Sequence, residues 1–212
     1  MSASGEGPVE APVVRVHASA PKADFMDAIW ISTLTVAVAE IGDKTQLLAI
    51  VLAARFRKPL PIILGMLAAT LLNHAVAASL GYLVAQYFSD RRFQILIGVG
   101  FIAMAAWALI PDKEDEASAQ RTQGGVFLTT LVSFFLVEIG DKTQIATSLL
   151  AAHFHNILLV ATGTTLGMML VNIPAVLLGE AATRVVPLKY MRIAAAALFA
   201  LFGLWVLWTA LH

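Results

Sequence analysis

The sequence predicts an all-α membrane protein with six transmembrane helices, arranged as two inverted three-helix repeats. Three observations carry this reading. First, the 212-residue chain is 59% hydrophobic and only 13% charged, with a mean hydropathy of +0.81. A soluble globule carries about 25% charged residues, and a chain of this size cannot hide such an apolar surplus in one core. Second, the apolar residues fall into six continuous stretches, without the period-two alternation of an outer-membrane barrel. Third, Glu40-Ile41-Gly42-Asp43-Lys44-Thr45-Gln46 recurs identically as Glu138-Ile139-Gly140-Asp141-Lys142-Thr143-Gln144.

The elements follow in chain order. Residues 1–24 form a polar tail rich in Ala, Pro and Ser. It lacks a basic start followed by an apolar core, so it does not read as a secretory signal and is expected to be disordered. Residues 25–110 make the first repeat, with apolar stretches at Phe25–Ala54, Leu60–Phe88 and Phe93–Ile110. Charged turns at 55–59 and 89–92 separate them, and Pro61 suits the first turn of a helix. Residues 111–123 form a polar, mostly acidic loop, and 124–212 make the second repeat. Its stretches are Gly124–Ala152, Ile157–Gly179 and Leu188–Leu211, with Asn156 as an N-cap and Pro174 as a kink. Each stretch is close to the roughly 20 residues that a helix needs to cross a bilayer. The first and fourth, at 30 and 29 residues, are longer and must tilt, break or project.

The motif offset is 98, and the same offset pairs Phe56 with Phe154, Gly65 with Gly163, His74 with Asn172 and Trp107 with Trp205. Three helices per half is an odd number, so the second half enters the membrane from the opposite side. Lys and Arg then set the orientation. The side bearing both termini carries Arg15, Lys22, Arg91 and Arg92. The side bearing the central loop carries Arg55, Arg57, Lys58, Lys113, Arg121, Arg184, Lys189 and Arg192. The excess places the central loop in the cytoplasm and both termini outside. The formal net charge is zero and there is no cysteine, which removes a nucleic-acid surface, disulfides and thiolate metal sites.

Both motifs fall near the middle of their apolar stretches, where an ionised carboxylate is costly unless paired, hydrated or liganded. Glu40, Asp43, Glu138 and Asp141 are therefore the candidate ion ligands. Glu and Asp three apart share one helical face and can point into one cavity, and the glycine between them can also open a helix turn and free carbonyl oxygens. Thr45, Gln46, Thr143 and Gln144 add neutral oxygen. An oxygen-rich, net-negative pocket suits a hard divalent cation such as calcium or manganese. Crowded carboxylates also titrate as a group, so protons and metal would compete for them. Lys44 and Lys142 partly neutralise the motifs; the plainer alternative makes each an intrahelical ion pair with Glu40 or Glu138, four residues away. Asn73, His74 and Asn172 lie mid-helix as candidates to line the same cavity, or as interhelical glue.

The doubled Glu-x-Gly-Asp-Lys-Thr motif resembles the family of Golgi manganese/calcium–proton exchangers and their bacterial and chloroplast relatives. The resemblance covers nearly the whole chain after Asp24. It implies a secondary antiporter that exports Mn2+ or Ca2+ from the cytoplasm in exchange for H+ or Na+, with no resident cofactor and no catalytic residue. It also implies that Glu40, Asp43, Glu138 and Asp141 hold the ion. The short tail fits a bacterial member in the inner membrane. Two rivals are a divalent cation channel and an intramembrane aspartyl protease; the latter needs two aspartates sharing a proton and leaves the glutamates without a role.

Overall fold

The structure is a computed structural model that describes residues 22–88, 91–110, 125–178 and 188–212. The tail at 1–21, the acidic central loop and the connection at 179–187 lie outside the described residues. Within them the chain forms α1 (Lys22–Glu40), α2 (Lys44–Phe56), α3 (Pro59–Tyr87) and α4 (Arg91–Ala108). Then come α5 (Gly125–Glu138), α6 (Lys142–Phe154), α7 (Ile157–Leu178) and α8 (Leu188–Leu211). No strand occurs among the described residues. Helix α1 begins at Lys22, inside the segment expected to be tail.

The two long stretches are each cut in two at the motif. Gly42 and Gly140 adopt φ of +81° and +75°, a left-handed conformation that glycine enters without a Cβ penalty. The following aspartates are extended, at φ −81°, ψ 167° and φ −75°, ψ 163°, and each starts a new helix. Helix α2 leaves α1 at 69°. Four helices, α3, α4, α7 and α8, are long and apolar enough to cross a membrane, and the bent pair α1–α2 makes a fifth candidate. The fourth stretch is divided into α5 and α6, of 14 and 13 residues. The six spans expected from the sequence therefore become four continuous ones plus interrupted helices.

Two other local expectations hold. Pro61 sits in the first turn of α3. Asn156 caps α7, its Oδ1 accepting the Leu159 N–H at 3.0 Å. Pro174, expected as a kink, lies inside α7 and does not end the helix. Arg57 and His155, equivalent at the repeat offset, both end their helices in the left-handed region, at φ 51° and 52°.

The halves interlock. Helix α1 packs on α7, α3 packs on α5 and α6, and α4 packs on α8. A Cβ on Gly65 would meet Phe127 O at 2.7 Å and Thr130 Cβ at 2.8 Å. A Cβ on Gly163 would meet Ile29 O at 2.8 Å and Ser32 Cβ at 2.9 Å. Residues 29 and 32 become 127 and 130 at the repeat offset, so this is one contact with the halves exchanged. Close backbone approach through small residues is how helices associate in lipid.

The distribution of polarity is that of a membrane protein. Large apolar side chains such as Trp30, Leu71, Leu96, Leu170, Leu201 and Trp208 are exposed. Thr, Ser, Asn and acidic side chains, including Glu40, Asp43, Glu138 and Asp141, are buried. Lipid needs no apolar core to drive burial, and polar groups gain by turning inward.

Candidate ion-binding site

The site is built where the two interrupted helices meet. Glu40 ends α1, Asp43 opens α2, Glu138 ends α5 and Asp141 opens α6. In each turn the aspartate N–H bonds back to the glutamate carbonyl, at 3.0 Å for Asp43 and 3.1 Å for Asp141. The following glutamine closes the break: Gln46 Oε1 accepts the Gly42 N–H at 2.9 Å, and Gln144 Oε1 accepts the Gly140 N–H at 2.7 Å. Neither aspartate uses its carboxylate to cap its helix. Each instead stands at a helix N-terminus, where the unpaired N–H groups and the helix dipole favour negative charge.

Of the two readings, a shared helical face or a turn opened at the glycine, the structure has the second. The break separates them onto two helices, and the carboxylates converge by folding of the turn. Glu40, Asp43 and Asp141, all buried, present oxygen atoms within 4.8 Å of one another. The set thus mixes both motifs. The Thr45 hydroxyl donates to Glu40 Oε2, and Thr143 lies close to the same carboxylate. Thr143 also stands 3.5 Å from Asp141 Oδ2. Glu40 Oε1 is a buried oxygen without a hydrogen-bond partner.

Glu138 stands beside this group, within electrostatic reach of Glu40 and Asp141. Its carboxylate is held by α3: Thr70 Oγ1 donates to Oε1 at 2.7 Å and Asn73 Nδ2 donates to Oε2 at 2.9 Å. Thr70 is the residue that the sequence reading missed. Its signal was present, because Thr70, Asn73 and His74 fall on one face of an otherwise apolar helix.

The intrahelical pairing of Lys44 with Glu40 is also replaced. With the helix broken between them, Lys44 reaches across to Asp141, Nζ to Oδ1 at 3.1 Å. Lys142 Nζ donates to Ile110 O at 3.2 Å and lies 6.0 Å from the centre of the Trp107 ring. A crevice lined by Ile41, Gly42, Asp43, Ala108, Lys142 and Arg192 leads to the Asp43 side of the site. His74 is fully buried with both ring nitrogens lacking a hydrogen-bond partner, and it is not among the three gathered acids. Asn172 turns its Nδ2 onto Met168 of its own helix, 3.1 Å from the carbonyl and 3.0 Å from Sδ.

Comparison with known proteins adds identity to this geometry. The chain is 49% identical over 185 residues to a Vibrio cholerae protein named "Putative manganese exporter", covering 87% of this chain and 92% of that one. It is 26% identical over 204 residues to a GDT1-like protein of Synechocystis, covering 87% and 98%. It is 28% identical over 169 residues to GDT1-like protein 3 of Oryza sativa subsp. indica, spanning 60% of that longer protein. No solved structure matches the chain. Residues 28–116 and 126–212 both match the family described as "Divalent cation/proton antiporter GDT1". Two matched segments that each contain one copy of the motif leave little of the chain unaccounted for, and the protein belongs to the GDT1 family of divalent cation/proton antiporters.

Proposed function

We propose that this protein exports Mn2+ from the cytoplasm across a bacterial inner membrane in exchange for protons. The ion is held by Glu40, Asp43 and Asp141, with Glu138, Thr45 and Thr143 completing the surround. One observation carries the reading: buried carboxylate oxygens from both motifs lie within 4.8 Å of one another where two interrupted helices cross. Hard oxygen donors of net negative charge fit a small divalent cation. The manganese choice rests on the 49% identical relative and its name. Calcium as cargo and sodium as counter-ion are the substitutes that the same donor set would accept.

The mechanism follows from competition. The ion neutralises the acids that surround it; on its departure protons replace it, and the same carboxylates cannot serve both at once. In this reading α5 and α6 together form a sixth, broken span, matching α1 and α2, and the halves are inverted repeats. The packing directions support it. Gly163 and Gly167 meet successive turns of α1 in order, so α1 and α7 run parallel. Arg91 at the start of α4 bonds Leu211 O at the end of α8, at 2.6 Å, so these two run antiparallel. Both relations are what six alternating crossings require. Rocking of one half on the other exposes the site to each side in turn.

Purified protein in liposomes provides the test. An imposed proton gradient should drive saturable Mn2+ flux against its own gradient. Flux that only runs downhill and does not saturate would establish a channel instead.

A further inference from the structure

The two motifs are identical, but the helices packed against them are not. Thr70 and Asn73 on α3 bond both oxygens of Glu138, at 2.7 and 2.9 Å. Asn73 Nδ2 also donates to Phe135 O at 3.1 Å, on the same helix as Glu138. At the repeat offset the corresponding residues on α7 are Met168 and Val171, which have no donor. Glu40 accepts from Thr45 of its own motif and has Thr143 of the other motif beside it, while its Oε1 is buried without a hydrogen-bond partner.

Turning Glu138 away would leave the buried Thr70 hydroxyl without this acceptor and would take from Asn73 one of its two, leaving only Phe135 O. No comparable bonds from α7 tie Glu40. We propose that Thr70 and Asn73 are positioning residues that make the two motif glutamates unequal. They fix Glu138 as an immobile wall of the site. They leave Glu40 as the carboxylate that changes partners when the ion arrives and departs. The inference rests on the transport reading above and assigns different tasks to two residues that the repeated motif presents as equivalent.

The test is Mn2+ uptake by liposomes containing the full-length protein, at a fixed imposed pH gradient and varied Mn2+ concentration. Groups that orient a metal ligand typically govern affinity by about 10–100-fold, so Thr70→Val with Asn73→Val should raise KM for Mn2+ by about that factor. The maximal rate should change less than about threefold, and Thr70→Ser with native Asn73 should keep the native KM, because the hydroxyl donor remains. Met168→Thr with Val171→Asn would offer Glu40 the same donors; it should lower the maximal rate about tenfold with little change in KM. Loss of packing alone would lower the rate of both variants without separating KM from rate. An unchanged KM in the first pair, or an unchanged rate in the second, overturns the proposal, and either pair suffices if the other fails to insert. If the native protein shows no proton-driven Mn2+ flux, the transport reading fails by itself. Mn2+ binding followed by electron paramagnetic resonance then decides the inequality: equal affinity in native and Thr70→Val/Asn73→Val protein overturns it.

Discussion

Asp43 and Asp141 occupy the same place in the two motifs, each at the start of a helix and each facing the other across the site. Replacing either by Asn keeps the shape and removes one of the charges that would hold a cation. Mn2+ affinity should fall by more than about 100-fold in either variant, exceeding what orienting residues usually contribute. Glu40→Gln should do the same. Flux in liposomes, with insertion checked by protein yield, is the measurement; near-native transport in Asp43→Asn would remove the carboxylate group from the mechanism. The acids themselves were legible in the sequence, because charge at mid-membrane depth is expensive and needs a reason. The partner of Lys44 was not. A spacing of four residues points to Glu40 on a continuous helix, and the turn at Gly42 instead aims the lysine at Asp141.

At the scale of elements, the break in each motif helix is the decisive feature. Gly140 is the cleaner place to probe it, because a Cβ there would meet nothing within 4 Å. Gly140→Ala therefore adds torsional cost alone, about 1–2 kcal/mol for a left-handed residue with a side chain. Thermal unfolding in detergent should show a modestly lower midpoint, and a neutral result would mean that the break opens in another conformation. Gly65 tests the opposite case, since a Cβ there would press on Phe127 O at 2.7 Å. Gly65→Leu should destabilise the α3–α5 contact by about 1–3 kcal/mol or more, the usual cost of overpacking. The helices were legible as apolar runs with readable ends. The break was legible as something the motif glycine permits, but its geometry was not, because the left-handed φ is settled by the tertiary environment. The excess length of the two motif stretches was a further hint.

The whole molecule predicts a direction. In the proposed exchange protons flowing inward drive the cation outward, so in everted vesicles an acidic lumen should drive Mn2+ uptake, and a protonophore should abolish it. Reversing the gradient should reverse the flux. Topology is open to a direct check because the chain has no cysteine of its own. With Ser118→Cys and His212→Cys introduced singly, an impermeant thiol reagent should label the first only from the cytoplasm and the second only from outside. The duplication was legible at once from the motif and its constant offset. What the offset concealed was the unequal support given to the two copies, because Thr70 and Met168 are aligned positions with different chemistry.

The exchanged contact at Gly65 and Gly163 has a practical consequence. Any change made at one seam has a twin at the other, in the same protein and the same lipid. Comparing the twins cancels expression, insertion and bilayer composition. If the halves rock as proposed, whatever difference survives that subtraction reports which of the two faces is closed at the time.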